Sequence, residues 1–290
     1  MVGDKRRTAA EDAMVAVWAL LLTAAGLAAI GSVMLAGAFR SHLVKTDIEL
    51  ESLPGPFDGY RILLVTDIHR RSLPQGMLSG LKGKVDLVLV GGDMTEKSSP
   101  LQRLHANMAL LSSIGPVYAV HGNHDYKAEI EEVDRILEKN GVRLLADENI
   151  PLKKGGTELW LTGVDYPRTG GKVAYAPLPG MPPGKERECR MILVHDPMWL
   201  LKRETVPADL ILSGHTHGGQ VVLPFIGRRH VEAFYHTYSA GMFLWPKGDG
   251  TGKKAKLLIS RGFGTAHLPL RWRSPAELNI LTLRRPAAGR

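Results

Sequence analysis

The sequence predicts an α/β protein, with a parallel or mixed β-sheet covered by helices and one transmembrane helix in front of it. Three observations carry that prediction. The run from Ala13 to Phe39 holds no charged residue and no proline. From Tyr60 to Gly141, short apolar runs alternate with helical patterns, as in a sheet whose parallel strands are joined by helices. Along the chain, five apolar runs stop at clusters of His, Asp and Asn, and ligands of α/β sheets gather at the carboxyl ends of strands.

Composition narrows the function. The 290 residues carry a formal net charge of +8. Residues 1–12 contribute nothing to it, because Lys5, Arg6 and Arg7 balance Asp4, Glu11 and Asp12. The excess therefore lies beyond the apolar run, where it suits an anionic substrate or an anionic membrane surface. No Lys/Arg run is interleaved with aromatics, so no nucleic-acid partner is expected. The single cysteine, Cys189, excludes an internal disulfide framework and a Cys-based zinc site.

In chain order, residues 1–12 form a short tail and residues 13–39 the anchor. As a helix the anchor reaches about 40 Å, enough to cross a ~30 Å hydrocarbon core with tilt. A core helix would need a polar face, and this run has none. Ala36-Gly37-Ala38 resembles a signal-cleavage site, but the run is long for a signal peptide. Arg6-Arg7 suggests a twin-arginine signal, yet Glu11 and Asp12 stand where apolar residues should follow. The reading is a single-pass cell-membrane anchor with a cytoplasmic tail, which places the domain that follows outside the cytoplasm.

Residues 40–59 read as a juxtamembrane link with one strand near Ile48 to Leu53, closed by Pro54-Gly55-Pro56. One domain spans residues 60–285. Its strands are expected at 60–66, 85–90, 117–120, 159–164, 191–194, 210–212, 221–223, 257–259 and 278–283, and its helices at 78–81, 101–114, 129–140 and 197–203. Residues 286–290 are a basic tail.

The polar endings are Asp67-Ile68-His69, Gly91-Gly92-Asp93, Gly122-Asn123-His124-Asp125, His195-Asp196 and Gly214-His215-Thr216-His217. In extended backbone, residues two apart face one side. Asp67 with His69, and His215 with His217, can thus each present two donors to one centre. Carboxylate, imidazole and amide oxygen suit Mn, Fe or Zn rather than a thiolate-seeking metal. Singly, each ending also reads as a polar turn or helix cap. Five of them in one chain point to a shared metal centre.

These residues resemble the calcineurin-like metallophosphoesterases, whose pattern runs D-x-H, G-D, G-N-H-D/E, a lone H, then G-H-x-H. The resemblance covers residues 45–285 and extends to a membrane-anchored bacterial branch, some of whose members are UDP-diacylglucosamine pyrophosphatases. Ser260-Arg261-Gly262-Phe263-Gly264-Thr265 and Leu268-Pro269-Leu270-Arg271 carry that part of it. It implies a sandwich of two mixed β-sheets flanked by helices. It also implies two divalent metal ions, with Asp67, His69 and His217 on the first, Asn123, His195 and His215 on the second, and Asp93 bridging. A hydroxide between the ions would attack phosphorus in line, since two ions can clamp both the attacking and the leaving oxygen. His124 would be a catalytic imidazole, stabilising the phosphoryl charge or protonating the leaving oxygen, with Asp125 orienting it.

Two positions depart from the pattern: Glu96 stands where the family often has Asp, and Ala266-His267 where a small polar residue is common. Arg70, beside His69, is the expected phosphate-binding residue. Arg71, Arg228, Arg229, Arg271 and Arg273 read as solvated surface. From Val222 to Trp245, the residues Phe225, Ile226, Phe234, Tyr235, Tyr238, Phe243, Leu244 and Trp245 form an apolar groove, a membrane face or core packing. The expected activity is hydrolysis of a phosphodiester or pyrophosphate bond. The membrane bilayer is the expected partner and a lipid-linked phosphate ester the favoured substrate. Soluble nucleotides or phosphoproteins are the alternative. A non-catalytic scaffold is the rival reading, disfavoured because no ligand of the pattern is missing.

Overall fold

The computed structural model describes residues 9–167, 174–225, 227–228 and 232–287. The first eight residues, Ile226, Arg229 and the last three residues of the basic tail lie outside the described residues. Helix α1, Ala9–Phe39, is long and apolar enough to cross a membrane. Its side chains from Met14 to Leu35 are largely exposed, so no other part of the domain covers them. Of its described side chains only Ala38, in the last turn, is buried, at 1% exposure.

Strands β1 (His42–Glu49), β2 (Arg61–Val65), β3 (Leu87–Gly91), β4 (Val117–Val120) and β5 (Val142–Leu144) belong to one sheet. Helices α2 (Gln75–Leu78), α3 (Leu101–Ser112) and α4 (Ile130–Lys139) connect them. Strands β6 (Glu148–Lys154), β7 (Thr157–Val164), β8 (Arg190–Val194) and β9 (Leu210–Ser213) belong to the second sheet. A short ribbon of β10 (Val222–Leu223) and β11 (Gly227–Arg228) follows, then helix α5 (Ala233–Thr237). Strands β12 (Gly241–Pro246) and β13 (Lys254–Ile259) complete the second sheet, and β14 (Glu277–Arg284) returns to the first. The sheet orders are β1-β14-β2-β3-β4-β5 and β12-β13-β9-β8-β7-β6, both mixed.

The central strands β3, β8 and β9 are buried on both faces, as their unbroken apolar runs require. Alternation decides which face each side chain serves. Ile62 and Leu64 of β2 point between the sheets, where they meet Leu161, Met191 and Leu212. Leu63 and Val65 point outward onto Leu104, Met108 and Val133 of α3 and α4. The outer face of the second sheet holds Ile192, Val194, Ile211 and Leu257 under Trp199.

Register fixes where the site lies. β2, β3 and β4 run parallel, so their carboxyl ends share one edge. β14 is antiparallel to β2, and β1 is parallel to β14. The first residue of β1, His42, therefore sits at the edge where β2 to β4 end. Helix α1 leaves the domain at that same edge.

Several elements differ from the sequence reading. The strand of the juxtamembrane link is His42–Glu49 rather than 48–53, and it is a full sheet member. Its Lys, Thr and Asp residues lie on a half-exposed edge, which hid the pattern. The expected helix at 197–203 is a 3₁₀ turn of Pro197–Leu200, and 221–223 forms only the two-residue ribbon arm. Strands β5, β6 and β12 carry Arg, Lys and Pro at edge positions and were not expected.

Candidate metal centre

The five polar endings meet at this edge. Asp67, His69, Asp93, His215 and His217 all have left-handed backbone, with φ between 50° and 70°. Such conformations strain a non-glycine residue and collect at functional sites. The adjoining glycines make room for them. A Cβ on Gly214 would lie 2.5 Å from Asp67 Oδ2, and one on Gly122 would overlap Asp93 Oδ1.

On one side stand Asp67, His69 and His217, whose donor atoms lie within 4.8 Å of one another. His69 Nε2 is 3.2 Å from His217 Nε2, and Asp67 Oδ1 is 3.7 Å from His217 Nε2. The His215 backbone N–H donates to the Asp67 carboxylate at 3.0 Å, tying the last ending to the first. Burial, His69 and the Arg271 guanidinium push His217 well below its usual pKa, so it is neutral, the form a metal requires.

On the other side stand Asp93, His195 and His215, again with donor atoms within 4.8 Å. His195 Nε2 lies 3.2 Å from Asn123 Oδ1 and 3.1 Å from His215 Nδ1. His195 Nδ1 donates to the Gly91 carbonyl at 2.8 Å, across the gap between the sheets, leaving Nε2 free as a donor to a metal. Burial lowers the His195 pKa, but Asp93 outweighs it and raises it to about 10. A field that favours a proton there also favours a divalent cation.

Asp93 joins the two groups. Its Oδ2 is 3.6 Å from His69 Nε2 and 3.3 Å from His195 Nε2. Its Oδ1 accepts the His124 backbone N–H at 2.7 Å. Burial would raise this carboxyl, yet His195, His69 and His124 hold it well below the carboxylate range. Donor set, spacing and orientation fit two divalent ions sharing Asp93.

His124 lines a cleft of about 450 Å³ above these residues, together with Lys127 and His267. Its ring stands edge-on to His69, 4.8 Å between centroids. Burial pushes its pKa down to about 4 against the pull of Asp93. The expected partner Asp125 does not orient it. Both Asp125 oxygens are taken by backbone, from Gly122 at 2.9 Å and Thr95 at 3.0 Å. Asp125 therefore shapes the loop rather than the imidazole. Burial and Asp93 raise its pKa to about 6.

Arg70 also differs from expectation. Its guanidinium pairs with Glu96, and it lies outside the cleft lining. Glu96 in turn stands 3.0 Å from His69 Nδ1. The glutamate at the departed position is long enough to reach both, so it links Arg70 to His69. His267, at the second departure, does face the cleft.

Three residues were missed. Arg271, read as surface, is 2% exposed. It donates to the carbonyls of Arg261, Gly262, Gly264 and Ser274 and lies 3.3 Å from His217 Nδ1. Arg71 donates to the Phe263 carbonyl at 2.6 Å and to the Phe39 carbonyl at 2.9 Å, joining the site edge to α1. His121 is fully buried; its Nε2 is 2.8 Å from Asp134 and its Nδ1 2.9 Å from Tyr126 Oη. The aromatic stretch divides: Phe234, Tyr238, Phe243 and Trp245 pack on the second sheet, while Phe225 and Leu244 are exposed. Tyr235 is buried and donates to Asp196.

A family model described as calcineurin-like phosphoesterase matches residues 60–219. The chain is 30% identical over 259 residues to YpbG, an uncharacterized protein of Bacillus subtilis, covering 88% of this chain and 93% of that one. It is 28% identical over 285 residues to YkuE, an uncharacterized metallophosphoesterase of the same bacterium, covering 91% and 93%. It is 29% identical over 236 residues to the phosphodiesterase YaeI of Escherichia coli, covering 77% and 82%.

Proposed function

We propose a reaction from one premise: this chain belongs to the calcineurin-like phosphoesterase family. It is a metal-dependent phosphoesterase, and we propose that it hydrolyses a phosphodiester or pyrophosphate bond of a lipid-linked substrate, held by α1 in the cell membrane with its catalytic domain outside the cytoplasm. The carrying observation is Asp93 Oδ2, set between His69 and His195 of the two donor groups. The name of the Escherichia coli relative supports a diester. The uncovered α1 and its exit at the site's own edge support a membrane-borne substrate.

In this reading Asp67, His69 and His217 would hold one divalent ion, Asn123, His195 and His215 would hold the other, and Asp93 would serve both. When bound, the ions supply Lewis acidity to the phosphoryl oxygens and lower the pKa of water. His124, neutral at pH 7, keeps one N–H to place against the leaving oxygen, and an incoming phosphate raises its basicity. Lys127, in the same cleft, offsets phosphoryl charge. Asp125 keeps the loop of Asn123 and His124 in place through two backbone bonds.

The test is a substrate panel for the full chain reconstituted with Mn: a diester, a monoester and a sugar-nucleotide lipid. The reading predicts that the diester and the pyrophosphate of the lipid are cleaved faster than the monoester. Preference for the monoester, or no cleavage of the lipid, would replace it.

A further inference from the structure

We propose that the junction of α1 with the catalytic domain is a binding site for the headgroup of an anionic phospholipid. This rests on the reading that α1 stays in the membrane. A pocket of about 290 Å³ lies there, walled by Val33 and Gly37 of α1, by Arg40 and His42, and by Trp272 and Arg273.

The helix is fixed against this pocket. The Arg271 backbone N–H donates to the Met34 carbonyl at 3.0 Å. A Cβ on Gly37 would come within 2.8 Å of the Arg271 carbonyl, so helix and loop touch backbone to backbone. Arg71 holds the next turn through the Phe39 carbonyl and Ser41 Oγ. The depth of the pocket then follows from helix rise. From Ala13 to Val33 the helix covers about 31 Å, the thickness of a hydrocarbon core. Residues 34–40 are left at headgroup level, and the pocket opens there.

The lining matches an anionic headgroup. Among the described residues, neither the Arg40 nor the Arg273 side chain has a hydrogen bond or a carboxylate partner. Arg273 is held in left-handed backbone, φ 57°. The carboxylate of Glu277, close in sequence, is buried and paired with Arg261. Two free guanidinium groups can grip a phosphodiester bidentately. An indole beside them suits the interface, where its ring meets acyl carbons and its N–H meets polar groups. Uncommitted cations at this depth are worth about a fivefold preference each for anionic over zwitterionic lipid.

The experiment reconstitutes the full chain in nanodiscs of phosphatidylcholine with a minor share of phosphatidylglycerol, extracts it mildly, and counts retained lipids by native mass spectrometry. The wild type should retain phosphatidylglycerol far above its share. The double variant Arg40→Gln/Arg273→Gln should lose that enrichment by about 25-fold, while hydrolysing a soluble chromogenic diester like the wild type. Lys45→Gln, which removes an exposed charge outside the pocket, should keep it. Equal retention of both lipids by the wild type would overturn the site, as would an equal loss in Lys45→Gln. Displacement of the lipid by millimolar inorganic phosphate would overturn it in favour of a free anion. A chain that does not insert into the disc would overturn the membrane reading and the site with it; insertion without enrichment overturns the site alone.

Discussion

Replacing Arg271 with Lys keeps the charge and removes the geometry. Arg271 serves four backbone carbonyls at 2.6–3.1 Å, those of Arg261, Gly262, Gly264 and Ser274, and a fifth, that of His217, at 3.5 Å. Burial lowers its pKa to about 10, so it stays charged at pH 7. Lysine has three N–H donors that diverge from one atom, so at least one carbonyl loses its partner and a second is badly placed. A hydrogen bond to a charged group contributes about 1.5–3 kcal/mol, which sets the cost of Arg271→Lys near 3 kcal/mol. In a domain of this size that lowers Tm by roughly 6–12 °C. The assay is thermal unfolding of the metal-free full chain in detergent. The guanidinium also backs His217 at 3.3 Å, so metal affinity should fall by about 10- to 100-fold, as for other groups that support a ligand. A Tm within 2 °C of wild type together with unchanged affinity would refute the role assigned to Arg271.

His124→Ala should keep both ions while turnover falls by roughly 10²–10⁴. The loss should shrink for a nitrophenolate leaving group, and a metal-depleted variant would contradict the split between ligand Asn123 and imidazole His124. For His121, burial lowers the pKa, but Asp165 and Asp134 outweigh it and the folded value is raised. Its stabilisation is complete below the unfolded value of ~6.5 and is lost as pH rises through the folded one. Asp134→Asn should therefore cost the metal-free chain more Tm at pH 6 than at pH 9; an equal deficit at both would remove the charge from the explanation. Protease added to intact spheroplasts should digest the catalytic domain. Full protection would reverse the orientation, and a mature chain beginning at Phe39 would replace the anchor with a cleaved signal.

The parts of the molecule that follow from local periodicity were legible in the sequence. β2, β3, β4, β8 and β9 are apolar runs, and each ends in candidate ligand residues, so the donor groups were readable as motifs. What was hidden depends on contacts between distant segments. Arg271 looks like surface because nothing local tells that backbone carbonyls surround it. Arg70 sits beside a ligand, yet Glu96, twenty-six positions on, decides where its guanidinium goes. The same holds for Asp125, whose oxygens accept from Gly122 in its own turn and from Thr95 on the loop after β3. β1 carries charges along an edge, and only its pairing with β14, more than two hundred residues away, makes it a strand. That pairing also brings α1 to the catalytic edge.

Metal stoichiometry tests the account most directly. Elemental analysis of the Mn-reconstituted full chain should find two ions per chain, and Asp93→Ala should lose metal and hydrolysis together, because one carboxylate oxygen serves both donor groups. Full turnover with a single ion per chain, or in Asp93→Ala, would contradict a centre built on Asp93.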